Sequence, residues 1–253
     1  MLRRTEYGDY DLIITFFTLY KGKISVIAKS AKKSTKRFAG ILELFSVLEI
    51  VCQTGRGRGL TVLQEAVLKF PFTNVGADIK KTSYASYWAE IINIWVEENK
   101  KQEQLFRLFH FVLMELNFNR ISAEVLSLLF QMRFLTISGL RPNLRQCMIC
   151  RRDLDTIETT KIAFDLKRGG LVCRNCVSAP SERVFLSKGT IKQLIWIEGG
   201  DLSRAKRIRF STSALREGLC MLEAFVPYHL GRDPKSLSFL HQIRGEGADN
   251  LTG

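Results

Sequence analysis

The sequence predicts an α+β protein built from several domains, and three observations indicate that class. The first part of the chain is rich in β-forming residues, the middle has apolar residues at helical spacing, and the third part begins with paired cysteines. With 253 residues, 46% of them hydrophobic and 25% charged, the chain can bury a sizeable core. We place domains at residues 1–75, at 76–140 together with 184–245, and at 141–183, the last being a four-cysteine segment inserted in the helical domain.

Residues 1–75 are predicted to be mostly strand. Residues 11–18 are apolar and rich in β-formers, and a lysine–glycine turn separates them from a second such segment. Residues 46–52 and 60–70 predict two more strands, joined by the glycine-rich loop 55–59. About four short strands with glycine-rich turns are typical of a small closed barrel or a sandwich.

The middle of the chain, up to Gly139, is predicted to be helical. Apolar residues recur there on one helical face, beginning with Tyr84, Tyr87, Trp88, Ile91, Ile92 and Trp95. Gly139 is placed to end the last of these helices, and Pro142 prevents its continuation. Aromatic side chains in such a stripe can stack bases, but at helical spacing they are more typical of a protein core. Helical spacing resumes from Leu215 to Val226.

Two Cys-x-x-Cys pairs predict one structural zinc site. Cys147 with Cys150 and Cys173 with Cys176 have 22 residues between the pairs, near the spacing of four-cysteine zinc sites. Each pair can offer two thiolates to a tetrahedral Zn²⁺, and four thiolates leave no open position for water or substrate. The metal would therefore stabilise a small segment that cannot fold by itself. A redox pair and an iron–sulfur cluster are the alternatives, and the presence of two pairs argues against the former.

Basic residues exceed acidic ones and are clustered. Lysine and arginine number 38 against 25 acidic residues, a net charge of +13 that attracts polyanions. One flexible basic loop without an acid contains Lys29, Lys32, Lys33, Lys36 and Arg37, the glycine-rich loop contains Arg56 and Arg58, and a later cluster contains Arg204, Lys206, Arg207 and Arg209. We predict that the first two sets contact the phosphates of DNA or RNA, with strong salt dependence and little sequence preference. The alternative is that these charges only keep the loops solvated.

No motif indicates catalysis. The sequence has no GxxxxGK[ST] phosphate loop, and His110, His229 and His241 lack the spacing of a zinc protease. The unpaired Cys52 and Cys220 are expected to be buried apolar residues. No run of roughly 20 apolar residues and no signal peptide is found, so we expect the protein to stay in the cytoplasm.

Several stretches of the chain resemble the RecO family of bacterial recombination mediators. The resemblance is carried by residues 4–11 (RTEYGDYD), 17–23, 29–40, 58–66 and 139–144, which leads into Cys147. The stretches occur in the same order over nearly the whole chain. Two departures are that only three residues precede RTEYGDYD and that Ser30 stands where glycine is common.

The resemblance implies an N-terminal OB-fold barrel, a helical domain and a zinc finger. It also implies binding of single- and double-stranded DNA, annealing of complementary strands and, with RecR, loading of RecA onto DNA coated by single-strand-binding protein. The acidic tail of that protein would be a further partner. By the same similarity, the residues between Lys29 and Arg37 would contact DNA. Two other hypotheses are an adaptor whose basic surface mainly captures an acidic partner tail, and a zinc-containing nuclease.

Overall fold

The computed structural model describes residues 1–54, 60–177, 182–202 and 207–245 and divides the chain into two compact units. Unit 1 comprises Met1–Phe118 with the C-terminal segment from Ser238, and unit 2 comprises Asn119–Leu237. No helix within the described ranges combines the length and the apolar character needed to cross a membrane.

Unit 1 begins with a five-stranded sheet in the order β1-β2-β3-β5-β4. Its strands are β1 (Arg3–Tyr7), β2 (Asp11–Thr18), β3 (Gly22–Ala28), β4 (Val47–Gln53) and β5 (Thr61–Phe70). Neighbours are antiparallel except β3 and β5, which are parallel. The strands predicted at 11–18, 46–52 and 60–70 therefore form, whereas β1 has no apolar alternation and was not predicted.

The sheet does not close into the expected barrel within the described part of the chain, because its edges β1 and β4 do not pair. The two edges meet only at one end, where the amino group of Met1 donates to the Ser46 carbonyl at 3.0 Å and the Phe45 N–H donates to the Met1 carbonyl at 3.1 Å. The rest of β4 borders a cavity of about 1030 Å³ that is lined by Phe17 and Phe106 among others. The OB-fold remains a prediction.

The core of the sheet extends into the segment that follows β3. Ile14 and Val26 point inward and are fully buried, as the alternation along a half-exposed strand requires. Ala31, Phe38 and Leu42 pack into the same cluster, although they lie in and next to the most basic part of the sequence. The segment 29–42 is therefore anchored to the sheet by apolar side chains.

Four helices accompany the sheet: α1 (Thr73–Gly76), α2 (Ile79–Trp95), α3 (Glu103–Asn117) and, at the C-terminal end, α7 (Lys235–Arg244). Asp78 caps α2 by accepting a hydrogen bond from the Lys81 N–H. Tyr84, Tyr87 and Trp88 are fully buried on this helix. The interpretation of the aromatic stripe as protein core, not as a base-stacking surface, is confirmed.

Unit 2 combines helices with a small three-stranded sheet of order β7-β6-β8. Its elements are α4 (Ala123–Ile137), β6 (Lys161–Asp165), β7 (Gly170–Val172), β8 (Arg183–Ser187), α5 (Lys188–Glu198) and α6 (Thr212–Leu230). Gly139 follows α4 with a φ of 76°, which confirms its predicted role in ending the helix. Helix α6 continues through Pro227.

The two cysteines outside the cluster differ in their exposure. Cys220 on α6 is exposed, and Cys52 on β4 is half-buried. The expectation that both are buried is therefore wrong: Cys220 lies on the solvent face of its helix.

Candidate metal centre and candidate nucleic-acid interface

The four predicted ligands come together in unit 2. Cys147 and Cys150 lie on a tight turn, and Cys173 and Cys176 follow β7 and flank a 3₁₀ turn. The four Sγ atoms lie within 4.8 Å of one another. The sequence therefore predicted which four cysteines come together, because each pair is local and the two pairs are brought together by backbone pairing.

The backbone around the cysteines fixes their approach. The Met148 N–H donates to the Leu171 carbonyl at 2.8 Å, which holds the first turn against β7. Asn143 pairs with the same hairpin through its N–H to the Gly169 carbonyl at 2.9 Å. Gly170 has no room for a side chain, since a Cβ there would lie 2.7 Å from Met148 Cγ and 2.9 Å from the Asn143 carbonyl oxygen.

The sulfur geometry fits a tetrahedral thiolate site. A tetrahedron with metal–sulfur distances of about 2.3 Å has edges of about 3.8 Å, and Cys150 Sγ lies 3.7 Å from Cys173 Sγ. Backbone N–H groups of Ile149 and Cys173 point at Cys147 Sγ, at 3.5 and 3.4 Å. Burial raises the pKa of Cys147, but hydrogen bonds from the backbone of Cys173, Cys150 and Ile149 outweigh it and lower that pKa to about 6. This first thiolate forms readily.

The thiols of Cys173 and Cys176 ionise less readily than the thiol of Cys147. Burial raises the pKa of Cys173, and hydrogen bonds from the neighbouring thiols raise the pKa of Cys176 to about 12. A divalent metal held by these residues would lower both pKa values, because a coordinating thiol is deprotonated. Four soft sulfur donors fit Zn²⁺ or an iron–sulfur centre and do not suit Mg²⁺ or Ca²⁺.

The basic residues from 29 to 37 lie on a segment of unit 1 that is attached to the sheet by hydrogen bonds and apolar contacts. Ser30 has left-handed backbone angles, φ 54° and ψ 27°, and its N–H donates to Asp11 Oδ1 at 2.7 Å. Ser34 Oγ accepts from the N–H groups of Arg37 and Phe38, at 3.1 and 3.0 Å. Ala31 and Phe38 are buried against the sheet, which leaves the basic side chains on the outer side of the segment.

Four of the five predicted DNA-contact side chains of this segment are exposed, and the Lys32 side chain is half-buried. Lys32 Nζ forms an ion pair with Glu6 at 2.9 Å, and that contact lowers the pKa of Glu6. Lys33 Nζ lies 3.4 Å from the centre of the Tyr10 ring, and the Arg37 guanidinium donates to the Lys29 carbonyl at 2.7 Å. Within the described ranges, the Lys29 and Lys36 side chains form no ion pair. Their charges are fully available to a phosphate.

Two tyrosines that the sequence analysis gave no role flank the turn between β1 and β2. Tyr7 and Tyr10 have exposed fractions of 53% and 46%. Tyr10 contacts Lys33 directly. Exposed aromatic rings next to cations are the usual surface for unstacked bases. The signal in the sequence was the pair of tyrosines around Gly8–Asp9, but the contact of Tyr10 with Lys33 depends on the hairpin.

The other predicted cations cannot be placed in the same way. Arg56 and Arg58 lie outside the described residues, as do Arg204 and Lys206. Arg207 and Arg209 are described and exposed. The candidate nucleic-acid interface therefore consists of the basic segment with Tyr7 and Tyr10, which we call the basic–tyrosine surface.

Comparisons with known proteins cover nearly the whole chain. The family model described as Recombination protein O N terminal matches residues 1–72, and the one described as Recombination protein O C terminal matches residues 76–238. A DNA repair protein RecO from Desulfosudis oleivorans is 44% identical over 249 residues, covering 96% of each chain. Proteins of the same name from Desulfatibacillum aliphaticivorans and Syntrophus aciditrophicus are 45% and 32% identical, covering 96% and 98% of this chain and 95% of each relative.

Proposed function

Because the chain belongs to the RecO family of DNA repair and recombination proteins, we propose that it is a recombination mediator that binds single- and double-stranded DNA and anneals complementary strands. The observation that carries this proposal is the basic–tyrosine surface. It combines exposed cations with two exposed aromatic rings on the neighbouring turn, where Tyr10 contacts Lys33. Cations would contact phosphates, and the rings would stack on unpaired bases.

The proposed mechanism of annealing is charge neutralisation. Two strands repel each other through their phosphates, and a basic surface that binds both lowers that repulsion and raises their local concentration. No nucleotide is consumed, so annealing should proceed without ATP. High salt should weaken it steeply, because each phosphate contact releases counterions.

The family also supplies the proposed partners and the domain assignment. We propose that the protein acts with RecR in loading RecA onto DNA coated by single-strand-binding protein, and that it contacts that protein's acidic tail. Residues 1–75 would be an OB-fold DNA-binding domain, 76–140 with 184–245 the helical domain, and 141–183 the zinc finger. Such a protein would work in the cytoplasm at the nucleoid. The support is the family match and the surplus of basic residues.

Cys147, Cys150, Cys173 and Cys176 would hold one Zn²⁺. The four sulfurs are close enough for a single ion, and one of their separations equals the edge of a tetrahedral thiolate site. Because sulfur would occupy all four coordination positions, the metal would cross-link the two turns and would catalyse no reaction. The cysteines themselves would orient the turns through the N–H bonds to Cys147 Sγ.

The test is a charge deletion that breaks no ion pair in the described part of the chain. Lys29→Gln/Lys36→Gln removes two exposed cations that have no ion pair in the described part of the chain. Fluorescence anisotropy with a labelled single-stranded oligonucleotide, measured across a salt series, should show weaker binding. The slope of log affinity against log salt should become shallower by about 1.4, since each single-strand phosphate contact contributes about 0.7.

The control is Lys100→Gln/Lys101→Gln, which removes two exposed lysines that are already ion-paired with Glu97 and Glu103. It should bind the oligonucleotide as the wild type does. Equal binding and equal salt slopes for all three proteins would place the DNA contacts elsewhere. If charge reversal of Lys32, Lys33 and Arg37 to glutamate also spared DNA binding but abolished binding of an acidic peptide, the adaptor hypothesis would replace the mediator.

A further inference from the structure

Three arginines directly follow cysteines of the candidate metal centre. Arg151 and Arg152 follow Cys150, and Arg174 follows Cys173. All three are exposed. In the portion of the chain that the structure describes, none of their side chains forms an ion pair, a ring contact or a side-chain hydrogen bond.

The cysteine cluster brings the two arginine-bearing turns together. The four Sγ atoms lie within 4.8 Å of one another, so the two Cys–Arg junctions are neighbours although 22 residues separate the cysteine pairs in the sequence. The Cys147 N–H donates to the Arg152 carbonyl at 2.9 Å, and the Cys176 N–H donates to the Cys173 carbonyl at 2.9 Å. Each turn is thus closed by a backbone hydrogen bond, and the three exposed arginines lie on these turns. We call Arg151, Arg152 and Arg174 the knuckle arginines.

The backbone of Arg151 is in a conformation that favours glycine. Its φ is 62°, and its N–H closes the turn by donating to the Cys147 carbonyl at 3.1 Å. Glycine occupies left-handed angles without cost, whereas a side chain with a Cβ is strained there. Folding of the turn therefore gains nothing from an arginine at this position. A strained residue with an exposed charge points to a use of the side chain in binding.

The acids nearest along the chain are engaged elsewhere. Asp153 Oδ1 accepts from the Asp155 N–H at 2.9 Å within its own turn. Asp155 forms an ion pair with Lys192 at 2.7 Å. Within the described residues, neither acid forms an ion pair with a knuckle arginine. Planar guanidinium groups bind phosphate in a bidentate manner, which makes arginine better suited than lysine to a phosphate backbone.

We propose that the knuckle arginines form a second nucleic-acid surface, which holds the phosphate backbone of a separate strand. The inference rests on the proposed function and deepens it. Annealing requires two strands to be held at once, and the basic–tyrosine surface in unit 1 supplies one site. The knuckle arginines lie in unit 2 and supply the other, with no base-specific contact.

The test measures, in separate assays, how the protein binds one oligonucleotide and how it binds two at once. The variant Arg151→Gly/Arg152→Gln/Arg174→Gln removes the charges and relieves the strain at position 151, so its metal content should equal that of the wild type. Two non-complementary oligonucleotides, labelled as donor and acceptor, report simultaneous binding by energy transfer. In the variant this transfer should fall at least tenfold, and annealing of complementary strands should slow by a similar factor. Anisotropy should show that a single oligonucleotide still binds.

The matched control is Arg216→Gln/Arg232→Gln, which removes two exposed arginines of unit 2 away from the cysteines. It should bridge and anneal as the wild type does. Undiminished energy transfer in the knuckle variant would overturn the proposal, and so would loss of binding to a polyglutamate peptide with bridging intact, since the surface would then dock a protein. Failure of the wild type to bind any oligonucleotide would instead refute the proposed function itself.

Discussion

Gly22 lies where two stretches of backbone in unit 1 touch. It precedes Lys23, whose carbonyl accepts a hydrogen bond from the Asn99 N–H at 2.8 Å. A Cβ on Gly22 would lie 1.8 Å from the Lys100 carbonyl oxygen, and its φ of +68° is itself unfavourable for a side chain. Sequence inspection identifies this glycine only as a turn residue, because the contact with Lys100 is distant along the chain.

We predict that Gly22→Ala destabilises the protein by more than about 3 kcal/mol, since backbone must shift to admit the methyl group. Gly40→Ala is the matched control: it has a similar φ of +66° but no atom within 4 Å of the added Cβ. That variant should lose only about 1–2 kcal/mol of unfolding free energy, which is the cost of left-handed backbone angles for a residue with a Cβ. Urea unfolding followed by circular dichroism measures both, and equal losses in the two variants would contradict the importance of the Lys100 contact.

Ser30 has backbone angles that glycine adopts more readily than serine. Its φ is 54° and its ψ is 27°, in the left-handed region where a residue with a Cβ is strained. Ser30→Gly should therefore stabilise the protein by about 1 kcal/mol, within the cost of such angles for a residue with a Cβ. A rise in the thermal midpoint with unchanged oligonucleotide affinity is the expected result. A fall in stability would show that the serine side chain contributes more than its strain costs.

At the scale of elements, α5 is held at both ends by side chains from other helices. Ser187 is its N-cap, and Glu217 on α6 accepts from the Ser187 N–H at 2.8 Å and from Thr190 Oγ1 at 2.6 Å. At the other end, Arg133 on α4 donates to the carbonyls of Ile197 at 2.6 Å, Gly200 at 2.8 Å and Gly199. The acid at the N-terminus and the cation at the C-terminus both match the helix dipole.

The contribution of Glu217 should depend on pH. Burial raises the pKa of its carboxyl, but hydrogen bonds from Thr190 and Ser187 outweigh burial and lower that pKa below its ordinary value of 4.5. Because the folded pKa is the lower one, the stabilisation is complete above pH 4.5 and is lost as the pH falls through the folded pKa. The difference in unfolding free energy between wild type and Glu217→Gln should shrink over that range. The control is Glu158→Gln, at an exposed glutamate of unit 2. If the difference in unfolding free energy from the wild type shrank equally for both variants as the pH falls, the capping role of Glu217 would be refuted.

Elements with a regular apolar pattern could be predicted from the sequence, and the contacts between them could not. The strands β2, β4 and β5 and the buried face of α2 follow from alternation and helical spacing. Strand β1 was missed because most of its side chains are exposed and polar. The cysteine cluster was predictable since its spacing is itself the signal. The ion pair of Lys32 with Glu6 depends on a hairpin that brings distant residues together.

At the scale of the whole molecule, the basic–tyrosine surface and the candidate metal centre belong to different compact units. Each unit has buried apolar residues of its own: Ile14 and Val26 lie within unit 1, and Phe164 and Leu171 lie beside the cysteines in unit 2. Loss of the metal should therefore disorder the cysteine turns without removing the cations between Lys29 and Arg37. Binding of one strand and pairing of two strands should respond differently to the metal.

We predict that a chelator, or Cys173→Ser, releases one zinc per chain and lowers the annealing rate at least tenfold, while the affinity for a single labelled oligonucleotide changes less than threefold. The physical reason is that a metal bound by the four cysteines would supply folding free energy to the two turns that carry the knuckle arginines, whereas the basic–tyrosine surface lies in the other unit. Zinc release is followed with a colorimetric indicator, annealing by energy transfer and binding by anisotropy. Cys220→Ser, at an exposed cysteine outside the cluster, should change none of the three. A parallel loss of annealing and single-strand affinity on chelation would mean that both activities depend on the same metal-stabilised surface.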